Sequence, residues 1–314
     1  MVAQDFTPDL SVVCPCYNEE ETITPFLESI LPVLEQTACS FEVIFINDGS
    51  SDKTLEKIRS EVAYDKTLRV INLSRNFGKE AALTAGLDFA KGKAVIPIDV
   101  DLQDPPELIL QLVSKWKEGF DVVLAKRVDR SSDTLAKSLT ASLFYKFHNS
   151  ISGIEVPENV GDFRLISRKV VEAIKLLPEN QRFMKGIFSW VGFNSTVVEY
   201  TRQPRAAGET HFNGWKLWNF AMDGITSFST VPLRVWLYLG VLCSGIAFFY
   251  GSFIIVKTII FGVDLPGYAS LVTMVLFFGG VQLIGLGVMG EYIGRLYIES
   301  KRRPVYIIEN NDEI

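Results

Sequence analysis

Two long apolar stretches near the C-terminal end set the strongest limit on what this chain can fold into. Leu233–Phe261 carries charge only at Arg234 and Lys257, and Tyr268–Tyr292 carries none before Glu291. Each exceeds the roughly 20 apolar residues that cross a bilayer core. The link between them, Gly262–Gly267, is too short for a domain, so a helical hairpin in the membrane is expected. Arg234 precedes the first span, and Lys301, Arg302 and Arg303 follow the second. Positive residues favour the cytoplasmic side, which predicts both termini there. Met1 to Asp9 is polar and acidic, without the apolar run of a signal peptide, so the N-terminal domain is expected to stay in the cytosol.

Charge is unevenly spread. It is frequent up to about Arg205 and nearly vanishes between Val235 and Met289, which marks the main domain boundary. The net charge of −6 gives no basic face for nucleic acid. Cys14, Cys16, Cys39 and Cys243 lack the paired spacing of a zinc site and are expected to be reduced.

From Leu10 onward, short apolar runs alternate with helical patterns. Strands are expected at Leu10–Cys14, Phe41–Ile46, Leu68–Leu73, Ala94–Ile98 and Asp121–Ala125. Helices are expected at Glu19–Glu35, Asp52–Ser60, Lys79–Ala90, Pro106–Trp116, Thr134–Ser150 and Ser167–Leu176. Strands apolar on both faces and alternating with helices predict an α/β fold with a mostly parallel, helix-covered sheet. Such sheets bind ligands at the carboxyl ends of their strands. The expected organisation is a catalytic domain over 1–205, interfacial amphipathic helices over 206–231, two membrane helices within 232–300 (about 233–261 and 268–294), and a C-terminal tail over 301–314. The aromatic-rich segment Gly214–Thr230 suits a helix lying in the membrane interface.

The strongest chemical signal is Asp99-Val100-Asp101-Leu102-Gln103-Asp104-Pro105-Pro106, directly after an expected strand. Two carboxylates two residues apart at a strand exit can converge on one hard cation, with the Gln103 amide oxygen as a third ligand. Mg²⁺ and Mn²⁺ favour such oxygen donors and share coordination with substrate phosphates. Two further polar turns, Pro15-Cys16-Tyr17-Asn18-Glu19-Glu20 and Asn47-Asp48-Gly49-Ser50-Ser51-Asp52, end the first two strands. Asn18 or Ser51 could serve there as helix N-caps and Gly49 as a turn residue. Together the three turns build an acceptor-rich pocket suited to a nucleobase and ribose.

Taken together, these motifs resemble the inverting family 2 glycosyltransferases of the GT-A fold. Arg75-Asn76-Phe77-Gly78-Lys79, Gly224-Ile225-Thr226-Ser227-Phe228-Ser229, Pro232-Leu233-Arg234 and Gly290-Glu291-Tyr292-Ile293-Gly294-Arg295 narrow the resemblance. They are similar to bacterial polyprenyl-phosphate glycosyltransferases, close to the bactoprenol glucosyltransferases and related to dolichyl-phosphate mannose synthases. The resemblance runs from about Leu10 to Ile307.

The resemblance implies that Pro15, Tyr17, Glu19 and Asp48 hold the nucleotide base and ribose, with Asp99 at the nucleotide sugar. It implies Mg²⁺ or Mn²⁺ on Asp101 and Gln103 with Asp99 in the same ligand set, and catalytic roles for Asp101 and Asp162. Arg127, Arg164 and Arg168 are expected to grip phosphate. UDP-glucose and an undecaprenyl or polyprenyl phosphate are the implied donor and acceptor, at the cytosolic face of the plasma (inner) membrane. GDP-mannose, another UDP-sugar, or a non-enzymatic nucleotide-binding assembly role are the alternatives. A homo-oligomer such as a tetramer and a separate flippase for the product are implied partners, and nucleic acid is not.

Other motifs are excluded. Gly86 with Gly92-Lys93-Ala94 misses the P-loop spacing, and no G-x-G-x-x-G follows a strand. His148 and His211 are too isolated to form a metal pair. Gln181-Arg182-Phe183-Met184-Lys185 does not satisfy the Q-x-x-R-W motif of processive family 2 synthases, which argues against polymer extrusion.

Overall fold

The computed structural model describes residues 7–128, 157, 160–180, 182–201, 229, 231–262 and 267–309. The first half alternates β1 (Leu10–Cys16), α1 (Ile23–Gln36), β2 (Phe41–Asn47), α2 (Thr54–Tyr64), β3 (Leu68–Asn72), α3 (Lys79–Phe89), β4 (Ala94–Pro97), α4 (Leu108–Lys117) and β5 (Val122–Arg127). Then follow β6 (Val160–Ser167), α5 (Arg168–Lys175), α6 (Met184–Trp190), β7 (Ser195–Tyr200), α7 (Val231–Phe261) and α8 (Tyr268–Ser300). The expected helix Thr134–Ser150, the segment Gly214–Thr230 apart from Ser229, His148 and His211 lie outside the described residues.

One 7-stranded sheet has the order β3-β2-β1-β4-β6-β5-β7. β6 runs antiparallel to both neighbours, β4 and β5, while the remaining pairings are parallel. The carboxyl ends of β1, β2, β3, β4, β5 and β7 therefore share one edge, and β6 enters from that edge.

Period-two alternation splits the core between the sheet's faces. Val12, Cys14, Phe45, Val70 and Ile96 pack under α1, α2 and α4. Val13, Ile44, Ile46, Ile71 and Val95 pack against the layer containing α3, α5 and α6. Helix α1 buries Ile23, Phe26, Leu27, Ile30, Val33 and Leu34, the 3–4 spacing of one helical face. Phe26 meets Phe45 edge-to-face at 6.2 Å, and truncating such a side chain costs about 3–5 kcal/mol. Gly86 lets α3 approach β1, since a Cβ there would sit 2.1 Å from Val13 Cγ1.

Helices α7 and α8 contain apolar spans at Tyr238–Phe261 and Phe277–Ser300 with mean hydropathies of 2.1 and 1.2, unburied by protein. They approach at Gly285, whose Cβ would lie 3.1 Å from the Trp236 ring. The Tyr292 hydroxyl donates to the Ser229 carbonyl at 2.6 Å, joining α8 to the residues before α7.

Beyond α8 the chain turns back onto the sheet. Ile308 bridges Leu73 antiparallel, the Ser74 N–H donates to Ile307 O at 2.9 Å, and the Glu309 N–H donates to Asn72 O at 2.9 Å. Tyr306 donates its hydroxyl to Asp88 at 2.9 Å. Residues Tyr306–Glu309 of the expected tail are thus docked on edge strand β3, where their backbone satisfies otherwise unpaired N–H and C=O groups.

Candidate functional site

The turns after β1 and β2 are stapled together. Asn18 adopts a left-handed backbone (φ 54) and its Oδ1 accepts the Ser51 N–H at 2.8 Å. Its own N–H donates to Ser50 Oγ at 3.0 Å, and the Glu19 N–H donates to Thr54 Oγ1 at 2.8 Å. Neither Asn18 nor Ser51 caps a helix. The start of α2 is capped from Asp52, whose Oδ1 accepts the Thr54 N–H at 3.0 Å. Asn18 and Ser51 are used instead to hold two loops side by side.

Asp48, buried at the end of β2, reaches across to the loop after β3. Its two oxygens accept the N–H groups of Phe77 at 2.7 Å and Gly78 at 2.9 Å. Gly49 makes that crossing feasible. Its φ is +63, and a Cβ would lie 2.4 Å from the Arg75 carbonyl carbon.

After β4, Asp101 Oδ1 accepts the Gln103 N–H at 3.1 Å around Leu102, which has a φ of 56. Left-handed residues of this kind cost about 1–3 kcal/mol and cluster at functional sites. Two of the non-glycine examples, Asn18 and Leu102, flank the pocket or its supports. Asp104 accepts the Tyr200 hydroxyl at 2.5 Å, tying this turn to β7.

These loops enclose a cavity of about 310 Å³. Pro15, Tyr17, Glu19, Asp48, Asp99 and Asp101 all line it, together with Asn76, Gly78 and Lys79. Tyr17 is half-exposed, and its ring is available at the surface. Burial, followed by the charges of Asp101, Asp99 and Asp52, pushes the Glu19 carboxyl above its ordinary value despite the Thr22 hydroxyl that stabilises its anion. Gln103 is buried and does not line the cavity; its backbone N–H supports Asp101. Among the described residues no three His, Cys, Asp or Glu converge as a metal cage. The donors at this edge, the Asp99 and Asp101 carboxylates, are hard oxygens, which fits a cation that completes its shell with phosphate and water.

Lys79 opens α3 and joins the two sides of the site. Its ammonium lies 2.7 Å from the Asp99 carboxylate and 2.8 Å from Asp162 Oδ2. Burial would lower the Lys79 pKa, but Asp99 and Asp162 outweigh it and raise it. Burial works to raise Asp162, yet Lys79, Lys185 and Arg164 hold its carboxyl down at about 2. Burial raises Asp99, partly offset by Lys79. Glu80, beside this group, is pushed up to about 7 by burial and by the Asp162 charge. In the sequence Lys79 falls within the motif Arg75–Lys79 with no role of its own, and Glu80 stands outside every motif. A lysine beside a conspicuous Gly78 turn at a strand exit was the available signal.

The three arginines separate. Arg168 lies at the amino end of β4, opposite the cavity, where its guanidinium donates to the carbonyls of Ala90 and Gly92. Arg164 is buried, donates to Gly161 O at 2.7 Å and stacks 4.2 Å over the Phe188 ring. Burial pushes its pKa down to about 10. The Arg164 guanidinium thus serves a backbone carbonyl and the Phe188 ring, and that of Arg168 serves backbone carbonyls at the opposite end of the sheet from the cavity. Arg127 ends β5 on the same edge as the cavity, in register with Tyr200.

Residues 11–175 match the family model for glycosyl transferase family 2, and residues 231–296 match the GtrB C-terminal hairpin. The chain is 57% identical to the bactoprenol glucosyl transferase of Shigella phage SfV over 304 residues, covering 97% of this chain and 99% of that one. It is 56% identical to the prophage bactoprenol glucosyl transferase homolog of Escherichia coli K12, covering 96% and 98%. It is 54% identical to an uncharacterized glycosyltransferase of Synechocystis sp., covering 97% and 96%.

Proposed function

This chain belongs to glycosyl transferase family 2, and on that footing we propose that it transfers glucose from UDP-glucose to undecaprenyl or another polyprenyl phosphate. The observation that carries the reading is the reach of the likeness. Relatives named bactoprenol glucosyl transferase match through the pocket motifs and the apolar hairpin alike.

In this reading the nucleotide lies against Pro15, Tyr17, Glu19 and Asp48, with its diphosphate towards the turn at Asp99 and Asp101. Asp101, with Gln103 and Asp99 beside it, would hold Mg²⁺ or Mn²⁺. When bound, such an ion neutralises charge on the departing diphosphate. An acceptor phosphate oxygen forms a bond to the anomeric carbon as the bond to the UDP oxygen breaks on the opposite face. That inverts the centre, giving a β-linked lipid phosphosugar from an α-linked donor and releasing UDP with the bonding pair.

The acceptor is a phosphate monoester, whose second pKa of about 6 leaves much of it dianionic at neutral pH. It needs little help from a base. Asp162, held at about 2, is a weak base and is assigned to positioning the acceptor. Arg127, on the same sheet edge, is assigned to its phosphate.

The hairpin has a physical rationale, because a polyprenyl tail keeps its phosphate at the bilayer interface and the pocket must sit there too. A multi-pass topology with the catalytic domain and tail on the cytosolic face is favoured by the Lys301–Arg303 cluster and by the return of the tail to β3.

Purified protein incubated with undecaprenyl phosphate, Mg²⁺ or Mn²⁺ and a panel of UDP- and GDP-sugars tests this. Labelled lipid from UDP-glucose is expected. Product from GDP-mannose or from another UDP-sugar alone would reassign the donor, and no lipid product from any donor would overturn the reading.

A further inference from the structure

We propose that Lys79 is a positioning residue that sets the acceptor-side carboxylate of Asp162 against the donor-side carboxylate of Asp99, and so governs turnover more than donor affinity. This rests on the glycosyl-transfer reading above and gives a role to a residue which that reading leaves unused.

Three observations converge on it. First, the two carboxylates come from different strands of opposite direction, the exit of β4 and the body of β6. Lys79 contacts both, at 2.7 and 2.8 Å. Without an intervening cation two such carboxylates would repel. Secondly, Lys79 is itself held in place from the nucleotide side. Asp48 clamps the N–H groups of Phe77 and Gly78, and Gly78, with φ +97, starts α3 at Lys79. Thirdly, a lysine at the first residue of a helix faces the positive end of the helix dipole, which is locally unfavourable. Sites where a local rule is broken with a clear compensating contact are where function is expected.

Charge explains why turnover depends on it. Among the described residues lining the cavity, Lys79 is the cationic side chain, beside Glu19, Asp48, Asp99 and Asp101. Both substrates bring further negative charge. An ammonium bridging Asp99 and Asp162 fixes the distance between the donor-side and acceptor-side carboxylates, so the incoming phosphate meets a preset frame.

The test uses the full chain in detergent micelles, undecaprenyl phosphate and whichever nucleotide sugar the wild type accepts. Lys79→Met is expected to lower kcat about 10- to 100-fold while the UDP dissociation constant stays within about twofold, a split that marks loss after donor binding. Asp162→Asn is expected to lower kcat as well, and the double variant to be no slower than the slower single variant, since residues acting through one another are not additive. Lys79→Arg, which retains the cation, should recover part of the loss. Should the Met variant not fold, Lys79→Gln replaces it with the same expected outcomes. Unchanged kcat, a loss residing in UDP affinity, or multiplicative losses in the double variant would overturn the inference alone. A wild type inactive with every donor contradicts the function itself and this inference with it.

Discussion

Glu299, in the last turn of α8, accepts two hydrogen bonds from Asn180, one from its backbone N–H at 2.8 Å and one from its side-chain amide at 3.1 Å. That pair joins the end of an apolar helix to the segment between α5 and α6. A few residues later the tail pairs with β3, and Glu309 also accepts from the Asn72 side chain, whose Oδ1 takes a 2.7 Å bond from Asn47. Asn47 precedes Asp48 in the chain, so hydrogen bonds from the tail reach the residue next to one that lines the cavity.

Truncation after Arg303 removes this strap. The Ser74 N–H, which donates to Ile307, should then exchange at least about tenfold faster, as expected of an edge strand that has lost its partner. Hydrogen-exchange mass spectrometry of the β3 peptide reads this directly. Unchanged exchange would show that the tail contributes no protection.

Gly49→Ala should be costly for two separate reasons. Its φ of +63 penalises a Cβ, and that Cβ would press on the backbone of Arg75 and Asn76. Together these amount to about 2–5 kcal/mol, so a melting temperature lower by several degrees is expected. UDP affinity should fall with it, because the displaced loop carries Asn76 and Gly78 to the cavity wall. Calorimetric melting and UDP titration check both parts, and a variant with wild-type melting contradicts the close approach.

Glu80 gives the fold a pH dependence of defined sign. Its folded pKa of about 7 lies above the ordinary 4.5. Between those values the folded chain retains a proton that the unfolded chain has released, so this group's contribution to stability falls as pH rises through the window. Glu80→Gln keeps an oxygen for the Met184 N–H, which is 3.3 Å away. The variant's melting temperature should therefore exceed that of wild type at about pH 7.5, and the difference should shrink towards about pH 4.5. A constant difference across that range would contradict the assignment.

Much of this was legible from residue pattern, and the exceptions share a cause. β1 to β5 and the helices between them were readable because apolar runs and 3–4 spacing follow directly from burial. The turn residues Asp48, Asp99 and Asp101 were readable as well, since polar clusters at strand exits stand out against such runs. β6 escaped notice because Asp162 and Arg164 interrupt its apolar pattern, one to meet Lys79 and the other to cover Phe188. β7 was missed because an edge strand with exposed Ser195, Val197 and Glu199 has little apolar signal. Arg164 and Arg168 look like ligand-binding arginines in sequence, and only the placement of backbone carbonyls reveals what they satisfy. The docking of Tyr306–Glu309 on β3 is a contact across the whole chain, and short-range patterning carries no information about it.

The acidic turn after β4 is where donor chemistry is assigned, and Asp101 is the residue on which that assignment depends most. The decisive measurement is the rate of label transfer from UDP-glucose to undecaprenyl phosphate by wild type and by Asp101→Asn, at saturating acceptor and with divalent cation present. Lipid-linked label from the wild type and a rate lower by on the order of 100-fold in the variant are predicted, a loss of the size that a misplaced metal produces. Equal rates in the two proteins would contradict the account.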